Sequence, residues 1–141
     1  MEQQVKTSDV EAVSMSFGRA CIKGDIIGRF YEIFLESHPA VKPMFKNTDF
    51  DKQKGLLKHG VNLIILYAKG SSSGVNGLTR IRDTHKKSKM NIDPRFYSYW
   101  KKSFIKAIKE YDSMFTPELE QAWTNVIEKG IEYISSGYFD N

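Results

Sequence analysis

One cysteine, Cys21, is present in 141 residues, so the chain can form no internal disulfide. A domain of this length does not need one, because it buries roughly two thirds of the surface that its unfolded chain exposes. Cys21 stands in line with Val10, Val13 and Phe17 and reads as a small buried hydrophobe on a helix face. Long apolar runs are missing too. The longest, Leu63 to Ala68, is far too short to cross a bilayer, and Met1 to Lys6 lacks the apolar core of a signal peptide. A soluble, cytoplasmic protein with no membrane partner is expected.

Several kinds of chemistry are excluded in the same way. No glycine loop cradles phosphate, no nucleophile elbow is present, and no pair of carboxylates is set for acid–base work. Three histidines and one cysteine at no close spacing offer zinc no tetrahedral set. No segment alternates as a strand does, nothing repeats, and no linker divides the chain. An all-α domain over residues 1–141 is expected, with residues 1–8 as a disordered tail. The net charge of +4 raises the question of nucleic acid. The lysines, however, are spread over several helices, Lys101, Lys102, Lys106 and Lys109 on one and Lys86, Lys87 and Lys89 in another segment, so they read as a solvated surface without a nucleic-acid partner.

Helical periodicity fills most of the chain. Ser8 and Glu11 have capping-box spacing, and Val10, Val13, Phe17 and Cys21 carry a helix from about Asp9 to Lys23. Ile26, Ile27, Phe30, Ile33 and Phe34 carry a second as far as Ser37. Pro39 starts a short third piece ending near Phe45, and Lys46 to Asp51 reads as a loop. A longer helix is predicted from about Lys52 to Lys69, and the serine- and glycine-rich stretch Gly70 to Gly77 after it reads as the most flexible segment. Leu78, Ile81 and His85 then mark a short helix whose apolar edge ends in a histidine. Asp93-Pro94 and Thr116-Pro117 open the last two helices, whose inner faces carry Tyr97, Trp100 and Phe104, then Leu119, Trp123, Val126 and Ile134.

Function in such a chain has to come from polar groups at positions where the pattern wants apolar ones. Tyr31, His59 and His85 qualify. At His85 one ring nitrogen can bind a metal while the other donates to a backbone carbonyl. His59, a turn before Leu63, would look into a cavity walled by Leu63 and Leu66. Tyr31 lies on an apolar face, and its hydroxyl needs a partner if buried. On spacing alone, each histidine also has a plain structural reading as a satisfied boundary residue.

Four segments in order add to this. They are Phe30-Tyr31-Glu32-Ile33-Phe34 with His38-Pro39-Ala40-Val41-Lys42-Pro43-Met44-Phe45; Lys58-His59-Gly60-Val61-Asn62-Leu63; Thr84-His85 followed by Ile92-Asp93-Pro94-Arg95-Phe96-Tyr97; and Ala122-Trp123 with Gly130-Ile131-Glu132-Tyr133. Together they resemble the globin family, in particular the single-domain bacterial haemoglobins, from about Val10 to Tyr133. The resemblance implies a globin fold, a helical sandwich around a haem b pocket. It implies His85 as the iron ligand, Phe45 wedged against the haem, Tyr97 packed near His85, Leu63 in the pocket, and Tyr31 with His59 facing a bound gas. Gln53, two turns before His59, is the alternative distal residue, because bacterial relatives often carry glutamine in that role.

Two departures bear on the proximal side. One or two residues more separate His85 from Tyr97 than in flavohaemoglobins, so the turn between them is expected to be remodelled. The glutamate that flavohaemoglobins place near the proximal histidine falls at about Tyr138. The expected function is reversible binding of O2, CO or NO, as oxygen storage or transport. The alternatives are an NO dioxygenase or peroxidase served by a separate reductase, a gas sensor acting through a partner, and a helical regulator that has lost its cofactor.

Overall fold

The computed structural model describes residues 5–140, which form seven helices: α1 (Thr7–Lys23), α2 (Ile26–Leu35), α3 (Val41–Met44), α4 (Phe50–Lys69), α5 (Ser72–His85), α6 (Phe96–Tyr111) and α7 (Pro117–Ser135). No strand occurs among the described residues. Of the tail expected at residues 1–8, residues 1–4 lie outside the described residues, and Thr7 and Ser8 are already helical. Val5 packs against the core and draws the chain in early. The N-cap is therefore Lys6, whose N–H donates to the Asp9 carboxylate at 3.3 Å, and not the Ser8–Glu11 box.

The other helix starts follow local chemistry. Asp25 caps α2 by accepting from Gly28 N–H at 2.9 Å, and Asp49 caps α4 by accepting from Asp51 and Lys52. Asp49 thus starts α4 inside the stretch expected to be a loop. Thr116 caps α7 with Pro117 in its first turn, as its sequence predicts. At Asp93-Pro94 the chain turns first, and α6 begins only at Phe96, whose N–H reaches the Asp93 carbonyl at 3.0 Å.

The largest difference concerns the stretch Gly70 to Gly77. Only Gly70, at φ 88°, ends α4; Ser72 to Gly77 are the first turns of α5. Gly74 and Gly77 are buried where α5 crosses α4. A methyl group at Gly74 would run into the backbone of Leu66 and Tyr67, and one at Gly77 would lie 2.5 Å from Leu63. These glycines mark a close helix contact, not a flexible link.

An aromatic spine holds the centre. Phe104 on α6 stacks on Trp100 at 5.2 Å and meets Phe30 of α2, Trp123 of α7 and Phe17 of α1 at 5.6, 5.5 and 6.2 Å. Pairs of this kind add about 0.5–1.5 kcal/mol each beyond their area. One buried polar knot lies beside it. Trp123 Nε1 donates to Ser16 Oγ at 3.0 Å, Ser16 donates to Asp112 at 2.6 Å, and Arg19 closes on both Asp112 oxygens at 2.7 and 2.9 Å. Asp112 also accepts from Met114 N–H. Arg19 first, then these hydrogen bonds, hold its carboxyl down to a pKa of about 2 against the cost of burial. The knot ties α1 to α7 and to the corner before it.

Candidate functional site

α4 and α5 run antiparallel, and their side chains fix the register. Gly74 meets Leu66 and Tyr67, Gly77 meets Leu63, and Ile81 comes within 3.8 Å of a methyl group placed at Gly60. One further turn along α5 is His85, and one further turn back along α4 are Leu56 and Leu57, then Gln53. Here the tight packing stops. Leu56 is 56% exposed, and Leu57, Ile81, Tyr97 and Phe45 are only partly covered. The helices pack tightly at their glycine end, and the side chains toward the end that carries His85 are less covered.

His85 ends α5 half-buried, with Nδ1 3.0 Å from Thr84 Oγ1. The Thr84 hydroxyl donates its own proton to the Ile81 carbonyl at 2.9 Å, so toward the ring it can only accept. The proton of the neutral ring therefore sits on Nδ1, and the Ile81 carbonyl also accepts from the ring. Nε2 keeps a free lone pair and has no hydrogen-bond partner among the described residues. Burial pushes the imidazole pKa down, which keeps that lone pair available at neutral pH.

On the other side, Tyr31 of α2 is 5% exposed, enclosed by the rings of Phe30, Phe45 and Phe50 at 5.0, 5.8 and 5.4 Å. Gln53 Nε2 donates to its hydroxyl oxygen at 3.1 Å. The amide can only give a proton there, so the phenol O–H remains free to donate elsewhere. Burial raises the Tyr31 pKa to about 12, against a smaller lowering by Gln53, and keeps that proton in place. Tyr97, in the first turn of α6, is likewise pushed up to about 12 by burial.

Of the residues expected at the site, His85 ends α5 half-buried, Tyr97 stands half-buried in the first turn of α6, and Phe45 and Tyr31 pack together. Phe45 touches Tyr31 and lies 6.0 Å from Phe34. His59 is exposed, six residues and about 120° around α4 from Gln53, and it is Gln53 that bonds to Tyr31. Leu63 is buried against Gly77 in the closed seam, and Leu57 follows Gln53 on the face toward Tyr31. Cys21 is half-buried and lines a cavity of about 210 Å³ with Asp25, Lys54 and Lys58, away from this site. Burial raises its thiol pKa. Thr84 escaped the sequence reading, since its role depends on where its hydroxyl points.

The donor set suits a metal that brings its other ligands with it. Among the described residues no three His, Cys, Asp or Glu side chains gather as a metal site, whereas one imidazole with Nε2 unpaired could hold the iron of a haem, which brings its remaining ligands with it. No helix among the described residues is long and apolar enough to cross a membrane.

The family model described as globin matches residues 28–134. A crystal structure of a protein from Pseudomonas aeruginosa PAO1, described as structurally highly homologous to a human haemoglobin, superposes with a TM-score of 0.88 at 32% identity. The match covers 92% of this chain and 98% of that one. No curated protein matches.

Proposed function

The chain belongs to the globin family, and on that premise we propose that it holds one haem b through His85 and reversibly binds a diatomic gas, with oxygen storage or transport as its role. Haem, when bound, supplies a ferrous iron with affinity for O2, CO and NO. Everything else is the work of the chain. His85 offers Nε2 while Thr84 and the Ile81 carbonyl fix the ring and raise its basicity. Phe45, Leu57, Ile81 and Tyr97, partly exposed apolar and aromatic side chains, would line the haem pocket in this proposal.

The observation that carries this reading is the direction of two hydrogen bonds. Thr84 leaves Nε2 of His85 open as an acceptor for metal, and Gln53 leaves the Tyr31 hydroxyl open as a donor for a ligand. A phenol O–H at that place favours a ligand that gathers negative charge, as O2 does, over CO, which is far less polar. Tyr31 and Gln53, and not His59, are the distal pair in this proposal.

An absorption spectrum of the purified protein tests it. A Soret band that shifts on reduction and again on CO addition is expected. A chain that takes up no haem in stoichiometric reconstitution would refute the proposal.

A further inference from the structure

The C-terminal segment after α7 grips α5 on both sides of His85. Before the histidine it holds Arg82, whose Nε donates to Ser136 Oγ at 3.2 Å and whose guanidinium pairs with Asp140 at 3.0 Å. The same guanidinium lies 5.3 Å over the Tyr133 ring. Gly137 is buried there, and a methyl group on it would stand 2.6 Å from Arg82 Cγ.

After the histidine the segment holds the turn that leads to α6. Lys87 N–H donates to the Tyr138 carbonyl at 2.8 Å, and Tyr138 O–H donates to Asn91 Oδ1 at 2.6 Å. Asn91 sits at φ 54°, in the left-handed region that asparagine tolerates better than most residues. Its neighbours on either side are the groups that finish α5. Met90 N–H reaches the Thr84 carbonyl at 3.0 Å, and Ile92 N–H reaches the His85 carbonyl at 3.1 Å. The turn therefore satisfies the last carbonyls of the helix that carries the histidine, and Tyr138 fixes the residue on which that turn pivots.

From this we infer that Tyr138 and Arg82 are positioning residues for His85: the segment Ser136–Asp140 clasps the last turn of α5 and sets the tilt and height of the imidazole toward the haem. The inference rests on the haem reading above. It gives the tyrosine at position 138 a function without the carboxylate that flavohaemoglobins place there. A tether through the 86–91 turn holds the histidine by its backbone, while Thr84 holds it by its ring.

Tyr138→Phe removes one hydroxyl and leaves the ring, and Arg82→Lys keeps the charge and removes the fork. Both are compared with the wild-type holoprotein by resonance Raman after photolysis of the CO form, where the iron–histidine stretch reports the proximal bond, and by amide exchange at Met90 and Ile92. Tyr138→Phe is expected to shift or broaden the iron–histidine band and leave the C–O stretch, which reads the distal side, unmoved. Exchange at the two amides should quicken by roughly fivefold or more, the effect of one ordinary hydrogen bond. Arg82→Lys should move the same band.

An unchanged iron–histidine band in both variants would overturn the inference, whether or not their melting temperatures fall. A normal haem spectrum with an unmoved band defeats the clasp alone, whereas a wild-type chain without haem defeats the functional proposal, so the two failures are distinguishable.

Discussion

Gln53 Nε2 donates to the Tyr31 hydroxyl across 3.1 Å, and that direction leaves the phenol proton uncommitted inside an aromatic enclosure. A hydrogen bond to a charged acceptor contributes about 1.5–3 kcal/mol, so Tyr31→Phe is expected to speed O2 release by roughly 10- to 150-fold with little change for CO. Gln53→Leu should speed it less, since it frees the phenol to turn but leaves the donor. His59→Leu should stay within about twofold of wild type, because His59 is exposed. Stopped-flow displacement of O2 by CO measures all three. A His59 variant with an effect as large as that of Tyr31→Phe would return the distal role to the histidine.

The Asp112 knot makes a pH prediction whose sign follows from its lowered pKa. The unfolded carboxyl titrates near its usual value of 3.8 and the folded one near about 2. The stabilisation is therefore complete above about pH 4 and is lost as pH falls toward about 2, on the order of 2 kcal/mol in all. Asp112→Asn should lower the melting temperature at pH 7 and flatten the fall in stability between pH 4 and pH 2. Calorimetry of the two proteins across that range is the check; parallel acid profiles would show that the stabilisation comes from elsewhere.

Three glycines of α4 and α5 should respond differently to a methyl group. Gly74→Ala meets backbone and should destabilise by about 2 kcal/mol or more, the range of core overpacking. Gly77→Ala meets the Leu63 side chain, which can give way, and should cost less. Gly55→Ala meets nothing within 4 Å and should stabilise by about 0.5–1 kcal/mol. Urea titration of the three variants ranks them. Equal effects at Gly74 and Gly55 would contradict the close crossing.

These same residues show how far the sequence can be read. Thr116-Pro117 announces α7 because an N-cap is a local device, complete within a few residues. Gly74 and Gly77 carry the opposite lesson. The missing Cβ that lets a loop bend also lets two helices touch, and only the partner helix decides which use applies.

The distal side was harder to read for a related reason. Periodicity identifies a face of α4 but not which neighbour that face meets, and the packing turns Gln53 to Tyr31 and His59 to solvent. His85 was marked out as a candidate because it ends an apolar edge and fits the family pattern. Thr84, which decides the ring's tautomer, was not, because its part depends on the direction of one hydroxyl. Nor was the pairing of Ser16 with Asp112, a contact between residues far apart in the chain that leaves no mark in local sequence.

The central claim is that His85 Nε2 is the protein's bond to haem iron. It is tested most directly by replacing His85 with Gly and recording the ferrous absorption spectrum with and without imidazole in solution. The variant is expected to lose the wild-type spectrum and most of its haem, and added imidazole to restore both by filling the vacated place beside Thr84 and Ile81. A His85→Gly protein that keeps wild-type haem content and spectrum without imidazole would contradict the claim.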